Sequence, residues 1–314
     1  MAEQPSVSVI IPTFNRAYCI ERAINSVIHQ TYKNWELIII DGSLNDETQK
    51  IIAPYLQDSR IRYFIVEKIN SSESLNYGIK NTNGNYIALL DDDDEFMENK
   101  LQAQLSEMMA FNAVFSISNC IKVYDGKSVP PRRFQESFLL KKEDFFSLKF
   151  HLSHTHMMFS SAIKEDCLFD PLLPASDDFD LLARILSKHS VLFVKEPLSY
   201  INKSLKRPRI STDPRARIDT IEQLIIKSKT YDWSDDKKLL LRNNLTLRLG
   251  FWQLMDKKYK QGRYNIYNAL PGLSFKRKRK YIPLIILSYV PLLFKLTRLV
   301  AEYVWRLTSG RIKM

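Results

Sequence analysis

Four aspartates and a glutamate, Asp91-Asp92-Asp93-Asp94-Glu95, follow directly on the apolar run Tyr86 to Leu90. Adjacent carboxylates repel one another, so a fold tolerates them at a strand end chiefly where a cation or solvent absorbs the charge. An all-oxygen cluster suits a hard divalent ion, Mn²⁺ or Mg²⁺, which two carboxylates hold while water and substrate phosphates complete an octahedron. A solvated acidic loop is the plain alternative. Two further turns carry polar groups of the right type for a nucleotide: Pro12-Thr13-Phe14-Asn15-Arg16 and Asp41-Gly42-Ser43-Leu44-Asn45-Asp46. Asp41 can accept the imide N–H of a uracil-type base, and Gly42 lets a ligand approach the backbone closely. Asp46 has an ordinary alternative task, capping the helix that follows.

These side chains need a scaffold that brings turns from separate segments together. Val7 to Ile11, Trp35 to Ile40, Ile61 to Val66 and Tyr86 to Leu90 read as strands, being short, β-branched or aromatic, and bounded by turn residues. Between them, Ile20, Ala23, Ile24, Val27 and Ile28 form one helical stripe, and Asp46 to Leu56 and Ser71 to Asn81 repeat that role. Strand and helix alternating at this spacing imply right-handed crossovers and a mainly parallel sheet, whose ligands gather at the carboxyl ends of the strands.

The chain has 314 residues and is 45% hydrophobic, enough for a sizeable core and about two domains. Its formal charge of +11 is unevenly spread: residues 1–100 carry 9 basic and 15 acidic side chains, whereas 203–314 carry 26 and 8. Acidic chemistry and basic contacts are thus separated along the sequence. Three scattered cysteines, Cys19, Cys120 and Cys167, make neither a disulfide scaffold nor a zinc site and suit a reducing cytosol. The polar start MAEQPSVSVI lacks the features of a signal peptide.

Five ordered segments, VSVIIPTFNRA, SVIHQTY, ELIIIDGSLNDET, GIKNTNGNYIALLDDDDEF and SDDFDLLARI, resemble the inverting family 2 glycosyltransferases over about residues 6 to 205. The resemblance implies a GT-A fold: an α/β sheet flanked by helices, mainly parallel, here with a mostly helical C-terminal extension. It divides the chain into a catalytic domain at 1–210, with a nucleotide-binding half (1–100) and an acceptor half (101–210), and a helical region at 211–314. It implies transfer of a sugar from a nucleoside-diphosphate donor, UDP-sugar favoured, to a glycan or lipid-linked hydroxyl, with Mn²⁺ or Mg²⁺. Pro12, Thr13, Asn15, Asp41 and Asp46 then fall in the nucleotide pocket. Asp91, Asp92 and Asp93 fall on the Asp-X-Asp signature, with Asp93 the direct metal ligand and Asp91 nearer the ribose. Two departures leave the donor open: Asp41-Gly42 stands where many relatives have paired aspartates, and Ser74-Leu75-Asn76-Tyr77-Gly78 lacks a donor-binding arginine.

The same resemblance assigns the catalytic base to the acidic pair Asp177-Asp178, which precedes the helical spacing Leu181, Leu182, Ile185, Leu186. Inverting transfer requires a carboxylate within hydrogen-bond reach of the acceptor hydroxyl. Asp178 is expected to be that base, with Asp177 raising its pKa or orienting the acceptor. Acids at a helix start also cap it and suit its dipole. Lys203, Lys206, Arg207 and Arg209 lie where relatives carry a segment near the donor phosphates. His154 and His156 alternate as on a strand and could line the acceptor site, core or rim positions being the more ordinary reading.

In the last hundred residues, Thr220 to Lys229 and Lys237 to Met255 read as helices. The basic block Lys276 to Lys280 then precedes 14 uncharged residues, Tyr281 to Phe294, a stretch too short and too proline-interrupted to span a bilayer. With Lys295, Arg298, Glu302 and Arg306 spaced beyond it, residues 275–314 suit an amphipathic segment lying on an anionic membrane, the alternative being an apolar face docked on the catalytic domain or on a second subunit. The expected location is cytoplasmic, peripheral to the inner face of the membrane. Nucleic-acid binding lacks a basic stripe with stacking aromatics or a recognisable module. A non-catalytic sugar-nucleotide binder and a nucleotidyltransferase remain as alternatives; the second predicts pyrophosphate release, glycosyl transfer a free nucleoside diphosphate.

Overall fold

The computed structural model describes residues 4–67, 70–124, 126–131, 133–142, 145, 152–173, 175–203, 213–271, 281, 285, 288 and 289. Two compact units divide the chain. One comprises Met1–Lys141, His151–Leu172 and Asp177–Arg207, the other Lys142–Phe150, Leu173–Ser176 and Pro208–Met314.

The first unit is built on a sheet whose leading half follows the sequence closely. Strands β1 (Val7–Thr13), β2 (Trp35–Asp41), β3 (Ile61–Ile65) and β4 (Tyr86–Leu89) lie in the order β3-β2-β1-β4, all parallel. Helices α1 (Ala17–Ile28), α2 (Glu47–Ile52) and α3 (Ser71–Lys80) make the crossovers. On α1, Ile20, Ala23, Ile24 and Val27 are fully buried, as the stripe required, and Ile28 is half-buried. The helix expected to reach Leu56 stops at Ile52 and tightens into a 3₁₀ turn, Ala53–Gln57, because Pro54 has no N–H to continue the α pattern. An Asn70/Glu73 capping box starts α3, and its Gly78 lies so close to β1 that a Cβ there would stand 2.5 Å from Ile10 Cγ2.

The other half of the sheet is mixed. Strand β9 (Met157–Ser160) runs antiparallel to both β4 and β6 (Phe115–Tyr124), and β6 is parallel to β10 (Val191–Lys203). The short β5 (Glu95–Phe96) closes the order on the far side of β10; β7 (Lys127–Val129) and β8 (Phe138–Leu139) pair with β6 and β10. The sheet as a whole is therefore mixed: β1 to β4 pair only in parallel with one another, β10 adds a long parallel pairing with β6, and the antiparallel pairings are the short ones. Register shifts flank Pro197 in β10. A proline cannot donate to the ladder, and the irregularity re-aims the strand end toward the carboxyl end of β4. Helices α4 (Lys100–Ala110) and α5 (Asp177–Lys188) complete this unit among its described residues.

The second unit contains α6 (Pro214–Lys227), α7 (Asp235–Met255) and α8 (Tyr259–Ala269). Helix α6 starts earlier than the sequence suggested, at Pro214, where Asp213 caps it by accepting from the Arg215 N–H. Helices α7 and α8 touch through Gly250 and Gly262, each of whose added Cβ would meet the other's carbonyl oxygen within 2.8 Å. Leu245 and Leu249 are buried in α7, whereas Leu239 is 57% exposed. Among the described residues no helix is long and apolar enough to cross a membrane. The basic block and nearly all of the stretch from Tyr281 onward lie outside the described residues.

Candidate active site

Ile87, Ala88, Leu89 and Leu90 are wholly buried, and the Leu90 N–H still reaches the Ile10 carbonyl at 3.0 Å. Burial of this kind stabilises by about 1.5–3 kcal/mol per large apolar side chain, so the chain leaves the sheet at a fixed point, Asp91. There the Asp94 N–H donates to the Asp91 carbonyl at 3.1 Å, and the chain turns back into β5.

Within that turn the four aspartates diverge. Asp92 and Asp94 point into the protein. Asp92 accepts from Thr13 Oγ1 at 2.8 Å and from Arg16 at 2.8 Å, while Asp94 accepts from Thr155 Oγ1 at 2.9 Å and the Asn202 N–H at 2.9 Å. Burial pushes the Asp92 carboxyl up to about 6, with Arg16 opposing and Asp93 reinforcing the shift. Burial, then the charges of Asp91 and Asp93, carry Asp94 well above the ordinary carboxylate range. Asp91 and Asp93 instead keep 29% and 23% of their side chains exposed. Asp93 faces Arg16 at 3.4 Å, and Asn202, delivered by the re-aimed end of β10, fastens the turn through the Asp93 carbonyl and Glu95.

Among the described residues no group of three or more His, Cys, Asp and Glu side chains makes a ready metal cage. Asp91 and Asp93, the partly exposed acids of the turn, are of the donor type that a Mg²⁺ or Mn²⁺ site takes, one or two carboxylates with the remaining positions left to water and phosphate oxygens.

The residues expected on the nucleotide side flank this turn to differing degrees. Thr13 is buried on Asp92. Pro12 sits opposite Ile40 at the end of β1. Asn15, at φ 52°, ties the first two turns together: its N–H donates to Ser43 Oγ and its carboxamide oxygen accepts from the Leu44 N–H. Asp41 is buried, accepting from Tyr63 Oη at 2.6 Å and the Ser43 N–H at 2.8 Å. Burial and that bond to Asp41 raise the Tyr63 phenol. Asp46 differs: its side chain is 63% exposed, makes no cap bond, and pairs with Lys50 at 2.8 Å.

The second acidic set opens α5. Asp177 accepts from Ser72 Oγ of α3 at 2.8 Å and from the Asp178 N–H at 2.9 Å, and Asp178 accepts from the Phe179 N–H at 2.7 Å. Asp180 is buried on Arg184, whose guanidinium also grips the Asp166 and Leu168 carbonyls. Three acids of one motif thus take three different surroundings.

His154 joins the two acidic sets. Its Nδ1 stands 3.3 Å from Asp91 Oδ1 and its Nε2 3.2 Å from Asp177 Oδ1. Burial disfavours its charge, but two carboxylates outweigh that and hold the imidazole well above its ordinary range. The same contacts keep Asp177 and Asp91 below theirs, against the opposing effect of burial. The strand expected at His154 and His156 is a 3₁₀ turn, with β9 starting only at Met157. Side chains compete successfully with the ladder here: Ser153 Oγ donates to Asp91, and Thr155 Oγ1 accepts the Asp91 N–H while donating to Asp94. His156 is fully buried. Ser72, Thr155, Asn202, the role of Arg16 and the two carboxylate contacts of His154 were not foreseen from the sequence. Only Arg16 had a local signal, its place directly after β1.

With this geometry in view, the family model described as Glycosyl transferase family 2 matches residues 8–167. The chain belongs to that family. This family 2 glycosyltransferase is 29% identical over 261 residues to an uncharacterised glycosyltransferase of Rickettsia typhi, RT0329, covering 76% of this chain and 81% of the relative. It is 35% identical over 140 residues to the UDP-Glc:alpha-D-GlcNAc-diphosphoundecaprenol beta-1,3-glucosyltransferase WfgD of Escherichia coli, a match to 43% of this chain and 55% of WfgD. Its backbone superposes on the crystal structure of S. aureus TarS 1–349 in complex with UDP-GlcNAc with a TM-score of 0.68 at 15% identity, covering 97% of this chain and 90% of the other. The family 2 chain is thus a glycosyltransferase of GT-A fold with a helical C-terminal region.

Proposed function

We propose that the chain moves a sugar, with inversion, from a nucleoside-diphosphate donor to a hydroxyl of a lipid-linked or glycan acceptor in cell-surface polysaccharide synthesis. One observation carries the reading: the acidic turn Asp91–Asp93 and the acidic pair Asp177–Asp178, far apart in sequence, stand on opposite sides of a single imidazole. A cation site and a proton acceptor must lie a sugar's width apart for such a transfer. UDP is the favoured nucleotide and the acceptor class is lipid-linked, because WfgD uses UDP-Glc on a diphosphoundecaprenol acceptor and TarS was crystallised with UDP-GlcNAc.

Each group then has one task. Asp93, with Asp91, would hold Mn²⁺ or Mg²⁺, whose charge neutralises the departing diphosphate. Thr13, Asn15 and Asp41 shape the nucleotide side, Pro12 ends the strand that presents them, and Asp92 anchors the acidic turn to that side through Thr13 and Arg16. Asp178 takes the acceptor proton as its oxygen attacks the anomeric carbon. Asp177, held by His154 and Ser72, orients that base.

The test is a panel of nucleotide sugars incubated with purified chain and Mn²⁺, with products resolved. Free nucleoside diphosphate is expected, reduced at least 10²-fold by Asp178→Asn at an unchanged melting temperature. Pyrophosphate instead, or near-normal turnover by Asp178→Asn, contradicts the reading.

A further inference from the structure

We propose that His154 is a positioning residue that fixes the proton-accepting end of α5 relative to the acidic turn, so that occupancy of one is transmitted to the other. The inference rests on the roles given above to Asp91, Asp93, Asp177 and Asp178. Its support is geometric. Each ring nitrogen lies within 3.3 Å of a carboxylate oxygen, Nδ1 at Asp91 and Nε2 at Asp177.

The ring is held from several directions. Phe169 meets it edge-on at a centroid distance of 4.9 Å. Its neighbours Ser153 and Thr155 both bind the same acidic turn, at Asp91 Oδ2 (3.0 Å) and Asp94 Oδ2 (2.9 Å). The 3₁₀ turn is thus tied to the acidic turn at three successive residues, Ser153, His154 and Thr155. The link then runs one step further, because the oxygen of Asp177 that faces His154 also accepts the backbone N–H of Asp178 at 2.9 Å. From the acidic turn to the backbone of Asp178 there is one imidazole and one carboxylate.

Stability alone does not call for such a device. Replacing a buried charge cluster with apolar groups is often neutral or stabilising for a fold. Groups that orient reacting or metal-binding side chains are, by contrast, typically worth 10–100-fold in activity or affinity.

Two substitutions separate the halves of the link. His154→Asn leaves an amide nitrogen near the Nδ1 position, facing Asp91; His154→Gln leaves one near the Nε2 position, facing Asp177. UDP release from UDP-glucose or UDP-N-acetylglucosamine with Mn²⁺, water accepting the sugar, is expected to fall 10–100-fold in kcat for His154→Ala, with the donor KM within about threefold. His154→Gln should recover most of that loss and His154→Asn little of it. A second readout needs no turnover: Mg²⁺ with UDP should shift the backbone amide resonance of Asp178 in the wild-type chain, and by less than half as much in His154→Ala at similar UDP affinity. Full kcat in His154→Ala, a loss that merely tracks the unfolded fraction, equal rescue by Asn and Gln, or an undiminished Asp178 shift would each overturn the proposal. Absence of any UDP binding by the wild-type chain would instead sink the functional reading beneath it.

Discussion

At the scale of single residues, what was legible were carboxylates whose meaning comes from local position: Asp91 to Asp94 at a strand end, Asp177 and Asp178 at a helix start. What was hidden were partners that meet only in three dimensions, such as His154, whose two carboxylates lie 63 and 23 residues away. Lys100 is the same kind of residue. It opens α4 and is fully buried, its Nζ donating to Gln104 Oε1 at 2.6 Å and lying 4.7 Å from the Phe96 ring centre. Burial pulls its ammonium from the ordinary 10.5 down to about 7. Between those two values the unfolded chain binds more protons than the folded one, so stability rises with pH there. The penalty is full below pH 7 and relieved as pH approaches 10.5, a difference on the order of 5 kcal/mol. Lys100→Met should therefore unfold at higher urea than wild type at pH 6, with the advantage shrinking toward pH 10. A difference that stays constant across that range contradicts the buried-amine account.

Among elements, the parallel half of the sheet could be read because each strand–helix unit carries its own periodicity. The mixed half could not, since β9 inserts between β4 and β6 by pairings that no local pattern encodes. The close approach of α7 and α8 was equally silent, as glycine reads locally as a weak helix former. At Gly250 a Cβ would stand 2.7 Å from the Gly262 carbonyl oxygen and 2.6 Å from Ile266 Cγ1. Gly250→Ala gains about 1 kcal/mol of helix propensity but forces the helices apart, so a net loss of about 1–2 kcal/mol is expected. Thermal melting checks this; a variant as stable as wild type means the crossing is looser than described.

For the molecule as a whole, the charge division seen in the sequence stands beside a division into two compact units. A net +18 over residues 203–314 suits an anionic surface. We expect the full chain to sediment with anionic liposomes at low salt, to lose most of that binding by about 0.5 M salt, and to lose it altogether when residues 275–314 are removed. Equal sedimentation of the truncated chain would move the contact elsewhere.

The central claim is that the acidic turn at the end of β4 grips a cation together with a nucleoside diphosphate. Isothermal calorimetry of UDP into the chain, with and without Mn²⁺, addresses it directly. Binding should strengthen at least tenfold with Mn²⁺ and lose that gain in Asp93→Asn, whose fold should persist because the Asp93 side chain is partly exposed. UDP binding that ignores both the metal and Asp93, or no uptake by well-folded protein, would contradict the account.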